Sequence, residues 1–208
     1  SIPDISIDVG SIDVGGGSFA VMGDYLHVYF HDYLQDGDSS QFAVARAPLS
    51  TLLNNALNFQ STPFTKYFND DWLEPALGGR SSPLEIGNPA NVWSSVSYND
   101  YLNGLVMVSS QWEAGAGDLY TSTSLDGVNW TPRQAIALDP GEQMYPSLIG
   151  TGPDPTRTGR SFYAYYTDSA QGVWGRWNDA SLKRRLITLD PVQQGETTRA
   201  SVANFKDD

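Results

Sequence analysis

The chain has 208 residues and a formal net charge of −12, from 12 Lys and Arg against 24 Asp and Glu. This charge excludes nucleic acid as an expected partner, because binding to a phosphate backbone depends on basic side chains. No apolar run approaches the roughly 20 residues that span a bilayer, and zero Cys excludes disulfides and thiolate metal sites. Aromatic residues make up 12% of the chain, and 20 Gly with 12 Pro supply many turns, which favours an all-β fold.

The first predicted unit opens with a hairpin. Residues 18–32 contain two β-rich runs joined by Gly23 and Asp24, a dipeptide suited to a tight turn. Two further strands are predicted at 41–47 and 64–68. The pattern therefore indicates a four-stranded unit in which neighbouring strands run in opposite directions.

One short helix is predicted inside this unit. Residues 48–57 have Leu and Ala at the helical period, and Ser50 is the expected N-cap. Because strands are predicted on both sides of it, we interpret the helix as an insertion into a β unit and not as a separate domain.

The same pattern of short strands returns twice. Strands of the second and third units are predicted at 92–98, 105–111, 118–123, 145–149, 161–168, 173–177 and 185–189. Ser18, Ser95 and Ser147 occupy corresponding places, spaced by 77 and 52 residues, and the longer spacing contains the helix. Meandering units that recur about every 50 residues are typical of propeller blades.

This repeat favours a β-propeller over a β-sandwich, which would also have regularly spaced short strands. The predicted blades cover about 13–75, 88–137 and 143–190 of a single propeller domain or fragment. Propellers close with roughly four to eight blades. Three blades therefore predict that a missing segment or a second chain completes the ring, and the absence of an initiator Met predicts a fragment or a processed product.

A turn motif supports this fold. Residues 124–130, Ser-Leu-Asp-Gly-Val-Asn-Trp, resemble the Asp-box of sialidase-type propellers. The resemblance implies that Asp126 binds backbone amides in a turn between outer strands, and that Trp130 packs between blades. Because turn chemistry accounts for Asp126 without any contact to substrate, we interpret the motif as a fold marker.

A wider resemblance concerns residues 13–32, 145–148 and 162–168. These segments resemble five-bladed propeller glycoside hydrolases, which include the arabinanase and xylosidase group and the propeller endo-D-arabinanases. The resemblance implies a secreted enzyme, extracellular or periplasmic, that acts on a plant or microbial polysaccharide. In such families an acid precedes the innermost strand of a blade and another ends the second strand, and Asp13 and Asp32 match those positions.

Hydrolysis of a glycosidic bond needs two carboxyl groups, one ionised and one holding a proton for the leaving oxygen. Acids at the starts of innermost strands would converge at the mouth of the central channel. The candidate catalytic residues are Asp13, Asp32 and Glu113. Their alternative interpretations are a turn residue before Gly15 for Asp13 and solvated loop acids for the other two.

The substrate-binding candidates are an Arg, a His and several aromatic residues. Arg80 has a planar fork suited to carboxylates or hydroxyls, although an ion pair with an acidic neighbour is the alternative. His31 lies beside Asp32. A sugar packs its CH face on aromatic rings, whose alternative role is packing between blades; the rings considered are Trp93, Trp112, Tyr145, Trp174 and Trp177.

No cofactor is predicted. Two His and no Cys give no support for a zinc site, and residues 36–38, Asp-Gly-Asp, are too short for an EF-hand loop. A structural calcium ion in the central channel is kept as an alternative. The sequence contains no P-loop, no nucleophile elbow and no dinucleotide fingerprint.

Two functions follow from these observations. The first is a secreted glycoside hydrolase that uses two-carboxylate acid/base chemistry, for which the candidate acids must converge in one cleft. The alternative is a non-catalytic propeller that binds carbohydrate, as a lectin does, or another protein. In that case the acids lie too far apart to cooperate.

Overall fold

The computed structural model describes residues 17–33, 40–84, 92–113, 116–137, 141–169 and 180–190. Within them the chain is all-β apart from one short helix, as predicted. The elements are β1 (Ser18–Met22), β2 (Tyr25–Tyr33), β3 (Ser40–Pro48), α1 (Leu49–Leu57), β4 (Thr65–Phe68), β5 (Asp71–Pro75), β6 (Val92–Asn99), β7 (Gly104–Glu113), β8 (Ala116–Ser124), β9 (Gln134–Ala137), β10 (Glu142–Gly150), β11 (Ser161–Ser169) and β12 (Ser181–Thr188). They form three antiparallel meanders, which we call the first (β1–β5), second (β6–β9) and third (β10–β12) sheets.

The first sheet has five strands where four were predicted. The predicted hairpin is confirmed, with Gly23 at φ +58° in the turn between β1 and β2. The additional strand, β5, follows β4 through Asn69 and Asp70, which have φ of +48° and +63°. Asn and Asp tolerate this left-handed conformation better than most residues, so the turn forms without Gly.

Helix α1 confirms the predicted insertion but not its predicted cap. Pro48 occupies the N-cap position without a side-chain cap, and Ser50 lies inside the first turn. The backbone N–H of Leu49 donates to the carbonyl of Asp24 (2.9 Å), which satisfies one of the free amides at the helix start. None of the described residues forms a helix with the length and apolarity that a membrane crossing requires.

The second and third sheets confirm most of the predicted strands. Strand β9 was not predicted, and β12 begins four residues before the predicted strand at 185–189. The strand predicted at 173–177 lies outside the described residues. Each sheet is an up-and-down meander in chain order, as expected for a propeller blade.

The sheets pack face to face in chain order, because β7 is apolar on both faces. Leu105 and Met107 face the first sheet, whereas Val106 and Val108 pack against residues of the third sheet. Side chains alternate along a strand, so a strand covered on both faces has an unbroken apolar run. The two cores are completed by residues of the outer sheets, namely Tyr29, Phe42, Val44, Phe162, Ala164 and Ile187.

The first strands of the three sheets lie side by side. β6 contacts β1 on one side and β10 on the other. This is the arrangement of consecutive propeller blades around an axis. Closure into a five-bladed ring stays a prediction.

Candidate functional site

In each sheet the start of the first strand lies beside the end of the second strand, and we call this end of the sheet its leading end. In the second sheet, Val92 at the start of β6 pairs with Gln111 near the end of β7. In the third sheet, Gln143 at the start of β10 pairs with Asp168 near the end of β11. Antiparallel pairing therefore brings residues at the start of the first strand next to residues at the end of the second strand.

Side-chain contacts join the three leading ends. The hydroxyl oxygens of Ser18 in the first sheet and Ser94 in the second lie 2.9 Å apart, within hydrogen-bonding distance. The rings of Trp93 in the second sheet and Tyr145 in the third have centroids 4.9 Å apart. The starts of β1, β6 and β10 therefore form one connected region of the molecule.

Trp93 and Tyr145, both predicted to stack on a sugar, form an aromatic pair in this region. Their ring planes are inclined by 33°, and Tyr145 is 40% exposed. Tyr145 has φ +56° and lies in the bulge between Met144 and Ser147. A positive φ is unfavourable for a bulky residue, and bulges commonly redirect a side chain beside a functional site. The bulge presents the Tyr145 ring to solvent against Trp93.

Asp32 lies near the end of β2 in a largely buried polar cluster. Its Oδ2 accepts hydrogen bonds from the Lys66 ammonium (2.7 Å) and the Ser81 hydroxyl (2.6 Å). Lys66 is buried and also donates to the carbonyl of Gly79 (2.9 Å). The hydrogen bonds from Lys66 and Ser81 therefore both reach Oδ2 of Asp32. A carboxylate in charge-assisted hydrogen bonds is suited to the ionised role in catalysis.

The first sheet separates Asp32 from the aromatic pair. Tyr29 packs on Trp130 of the second sheet, and His31, two residues further, contacts Phe42 on that same face (ring centroids 5.7 Å). Since side chains alternate along β2, Asp32 lies on the opposite face of the sheet. Asp32 therefore shares the leading end with Trp93 and Tyr145 but lies on the face away from the second sheet.

Arg80 forms an ion pair with an acidic neighbour, which was the alternative to its predicted role in substrate binding. Its guanidinium donates to Glu74 Oε1 from Nε (3.0 Å) and from Nη2 (2.6 Å). These side-chain hydrogen bonds, with one from the Arg80 backbone amide, lower the pKa of Glu74. The guanidinium also lies 4.3 Å from the ring centroid of Phe68.

Several predicted residues cannot be placed as side chains. Asp13, Trp174, Trp177 and the segment 36–38 lie outside the described residues. The backbone of Trp112 and Glu113 ends β7 at the leading end of the second sheet, where Glu113 pairs with Ala116. Their side chains are outside the description.

Asp168 is a leading-end acid that the sequence reasoning missed. It lies near the end of β11, as Asp32 does near the end of β2, and its Oδ2 is 2.5 Å from the Lys183 ammonium. The signal was present in the sequence, because Asp168 ends the predicted strand 161–168. Within the described part of the chain, no three His, Cys, Asp or Glu side chains are grouped to hold a metal.

The Asp-box prediction is confirmed in its geometry. Asp126 Oδ1 accepts hydrogen bonds from the backbone amides of Val128 (2.9 Å) and Asn129 (2.8 Å). Burial acts to raise the pKa of Asp126, but hydrogen bonds from the Asn129 side chain and these amides lower it overall. Trp130 packs edge-on against Tyr29 of the first sheet (5.6 Å, 84°). The motif connects β8 to β9 at the end of the second sheet opposite its leading end. This position, away from the candidate site, supports a structural role for the motif.

Comparisons with known proteins give structural likeness only. No family model matches the chain, and no curated protein matches it. A structure of the GH130 family of mannoside phosphorylases, described as containing hydrolases of β-1,2 mannosidic linkages in Candida mannan, is 10% identical, with a TM-score of 0.46 over 74% of this chain and 45% of that one. The catalytic domain of the Coprinopsis cinerea GH62 α-L-arabinofuranosidase is 16% identical, with a TM-score of 0.44 over 84% and 55%.

An N-acetylgalactosamine deacetylase from F. plautii, in complex with blood group B trisaccharide, is 17% identical, with a TM-score of 0.42 over 75% of this chain and 40% of that one. The chain thus spans about half the length of these structures.

Proposed function

We propose that this chain belongs to a carbohydrate-active protein that hydrolyses glycosidic bonds at the joined leading ends of its sheets. The observation that carries the proposal is the aromatic pair of Trp93 and Tyr145, held where the second and third sheets meet. An exposed aromatic ring offers a flat apolar surface to the CH face of a sugar. The acidic net charge of −12 favours a neutral oligo- or polysaccharide over a polyanion.

In this proposal the carboxyl groups have different tasks. Asp32 and Asp168 are each paired with a Lys ammonium, which suits either of them to the ionised role. Asp168 lies on the side of the aromatic pair, whereas the first sheet separates Asp32 from it. A glycoside hydrolase also needs a proton donor, which we assign to Glu113 or Asp13. A polysaccharide substrate places the protein outside the cell or in the periplasm.

We also propose that the three sheets are blades covering about 13–75, 88–137 and 143–190. Supporting this, the outer face of the first sheet exposes Phe19 by 66% and Val21 by 38%. Apolar faces of this kind are normally covered in a folded protein. Further blades, from a longer chain or a second one, would cover them and complete a five-bladed ring.

The test of the hydrolase is the release of reducing ends from arabinan, xylan and mannan. Asp13→Asn, Asp32→Asn and Glu113→Gln are each compared with wild type, and urea unfolding checks that the variants fold. Loss of a general acid or base typically lowers turnover by about 10²- to 10⁴-fold. Asp154→Asn is the matched control, because Asp154 is an exposed acid whose carboxylate accepts hydrogen bonds from Thr156 in the loop after β10. Unchanged turnover in all three site variants would contradict the proposal.

A non-catalytic carbohydrate-binding module is the second candidate function. One observation favours it: two leading-end carboxylates, Asp32 and Asp168, are each engaged by a Lys ammonium group. In this candidate function neither carboxylate acts as the proton donor that hydrolysis requires. This candidate predicts that the protein binds the same polysaccharides, that Trp93→Ala weakens binding, and that wild type releases no reducing ends.

A further inference from the structure

Buried polar atoms without partners are concentrated at the leading end of the third sheet. Gln143 is fully buried, and neither its amide oxygen nor its amide nitrogen has a hydrogen-bond partner. Its cross-strand neighbour Asp168 binds Lys183 through Oδ2, whereas its Oδ1 is buried without a partner. Directly opposed residues share one face of a sheet, so the amide and the carboxylate lie side by side.

This face of the third sheet is the one that packs on the second sheet. Phe162, Ala164 and Tyr166 on β11 belong to the core between these sheets, and Asp168 follows them at the same period of two. Across the interface, Val106 and Val108 on β7 belong to the same core, and Ser110 continues their face. The Ser110 hydroxyl is also buried without a partner. Unpartnered polar atoms therefore approach this interface from both sheets.

The aromatic pair lies at the same place. Ser110 pairs across strands with Trp93, and the Trp93 ring contacts Tyr145, two residues beyond Gln143. We call the region lined by Ser110, Gln143 and Asp168 beside these rings the polar seam. Two residues of this region are partly exposed, Tyr145 by 40% and the Asp168 side chain by 13%.

The chemistry of the polar seam restricts what it can bind. A buried amide and a buried carboxylate oxygen without partners are unfavourable and rare in native proteins, so a ligand or water that supplies hydrogen bonds stabilises them. A cation fits poorly, because the Lys183 ammonium and the Gln143 amide N–H groups are adjacent. An anion fits poorly beside Asp168. Neighbouring hydroxyl groups, each a donor and an acceptor, match the amide and the carboxylate together.

We propose that Gln143 and Asp168 form a subsite that binds two neighbouring hydroxyl groups of a neutral sugar whose ring packs on Tyr145 and Trp93. This inference rests on the proposed carbohydrate function and names the residues that would determine specificity for the sugar. Ser110 supplies a further hydroxyl from the facing sheet.

The experiment measures the binding of methyl glycosides of arabinose, xylose and mannose, each beside its 2-deoxy analogue, by calorimetry. Gln143→Leu keeps the size of the side chain and removes both polar amide atoms. Gln60→Leu is the matched control, because Gln60 is exposed beyond α1. Urea unfolding without ligand is measured on each variant. Gln143→Met replaces Gln143→Leu if the latter does not fold.

The subsite predicts two results together. Gln143→Leu weakens binding of the preferred glycoside by about tenfold or more, as expected for lost hydrogen bonds in a buried site. The same variant unfolds at a urea concentration equal to or above that of wild type, because an unpartnered amide has been removed. The 2-deoxy analogue binds wild type more weakly than the full sugar does, and this difference shrinks in Gln143→Leu.

Other results overturn the inference. If Gln143→Leu binds every glycoside as wild type does, the subsite is wrong, while the proposed hydrolase stands or falls separately on the Asp32 and Glu113 variants. If Gln143→Leu unfolds at a lower urea concentration and binding is unchanged, the Gln143 amide has only a structural role, with water as its partner. If wild type binds none of the sugars, this inference fails, and the proposed function is decided separately by the release of reducing ends from polysaccharides.

Discussion

Replacing Lys66 by Met tests whether the ion pair of Lys66 with Asp32 stabilises the first sheet. The Lys66 side chain is 4% exposed and forms two hydrogen bonds, to Asp32 Oδ2 (2.7 Å) and to the carbonyl of Gly79 (2.9 Å). Removing one partner of a buried ion pair typically costs about 3–5 kcal/mol. Because Asp32 is 15% exposed and keeps its bond from Ser81, we expect the lower end, about 3 kcal/mol.

The assay is urea unfolding at pH 7, followed by tryptophan fluorescence. With a urea dependence of about 1–3 kcal/mol per molar, the Lys66→Met midpoint falls by roughly 1 M or more. Lys66→Met combined with Asp32→Asn is expected to be more stable than Lys66→Met alone, because the carboxylate charge is removed with its partner. The control is Arg157→Met, since the pair of Arg157 with Asp100 is 42% and 57% exposed and such pairs contribute less than about 1 kcal/mol.

Two results would refute this reasoning. In the first, Lys66→Met unfolds within about 0.5 kcal/mol of wild type, which is the scatter of ordinary surface substitutions. In the second, the double variant is no more stable than Lys66→Met, which would mean that the cost comes from lost packing of the lysine stem and not from the unpaired carboxylate.

Two further predictions concern residues packed between the first and second sheets. Burial, aided by Arg46, lowers the pKa of His27 from 6.5 to about 4, so between these pH values the unfolded chain takes up a proton and the folded chain does not. Wild type therefore loses stability on the order of 3 kcal/mol as the pH falls from 6.5 to about 4. Urea unfolding across this pH range is expected to show no such loss in His27→Phe. An equal pH dependence in both proteins would contradict the assignment. Trp130→Ala is expected to lower the free energy of unfolding by about 3–5 kcal/mol, because Trp130 is buried against Tyr29. Trp130→Phe keeps most of the packing. Equal thermal midpoints for the two variants would show that the ring does not join the sheets.

Much of the strand pattern could be predicted from local features of the sequence. The hairpin of β1 and β2 follows from two β-rich runs and a Gly in the turn, and both signals lie within 16 residues, Ser18 to Tyr33. The Asp-box was predictable for the same reason, since Asp126 binds amides only two and three residues away. Strand β5 was missed because its turn uses Asn69 and Asp70 at positive φ, where Gly is the usual signal.

The candidate site was predictable only in its residue types. Aromatic side chains and acids were identified one at a time, and their alternatives as core or loop residues could not be separated. Arg80 shows why: its acidic partner Glu74 lies on the neighbouring β5, a strand that the sequence pattern did not reveal. Gln143 of the polar seam had no signal in the sequence, because a Gln in a strand is ordinary until its burial is known.

By itself, the sequence determined the class of fold, the helical insertion and the turn chemistry, because these depend on side-chain periodicity and on contacts between residues near in the chain. Only the tertiary structure decided which residues meet across sheets. The contact of Trp93 with Tyr145 and the opposite faces occupied by Asp32 and His31 depend on strand register and sheet packing. A shift of one residue in register would reverse every such face, and no local pattern in the chain encodes the partner on the next sheet.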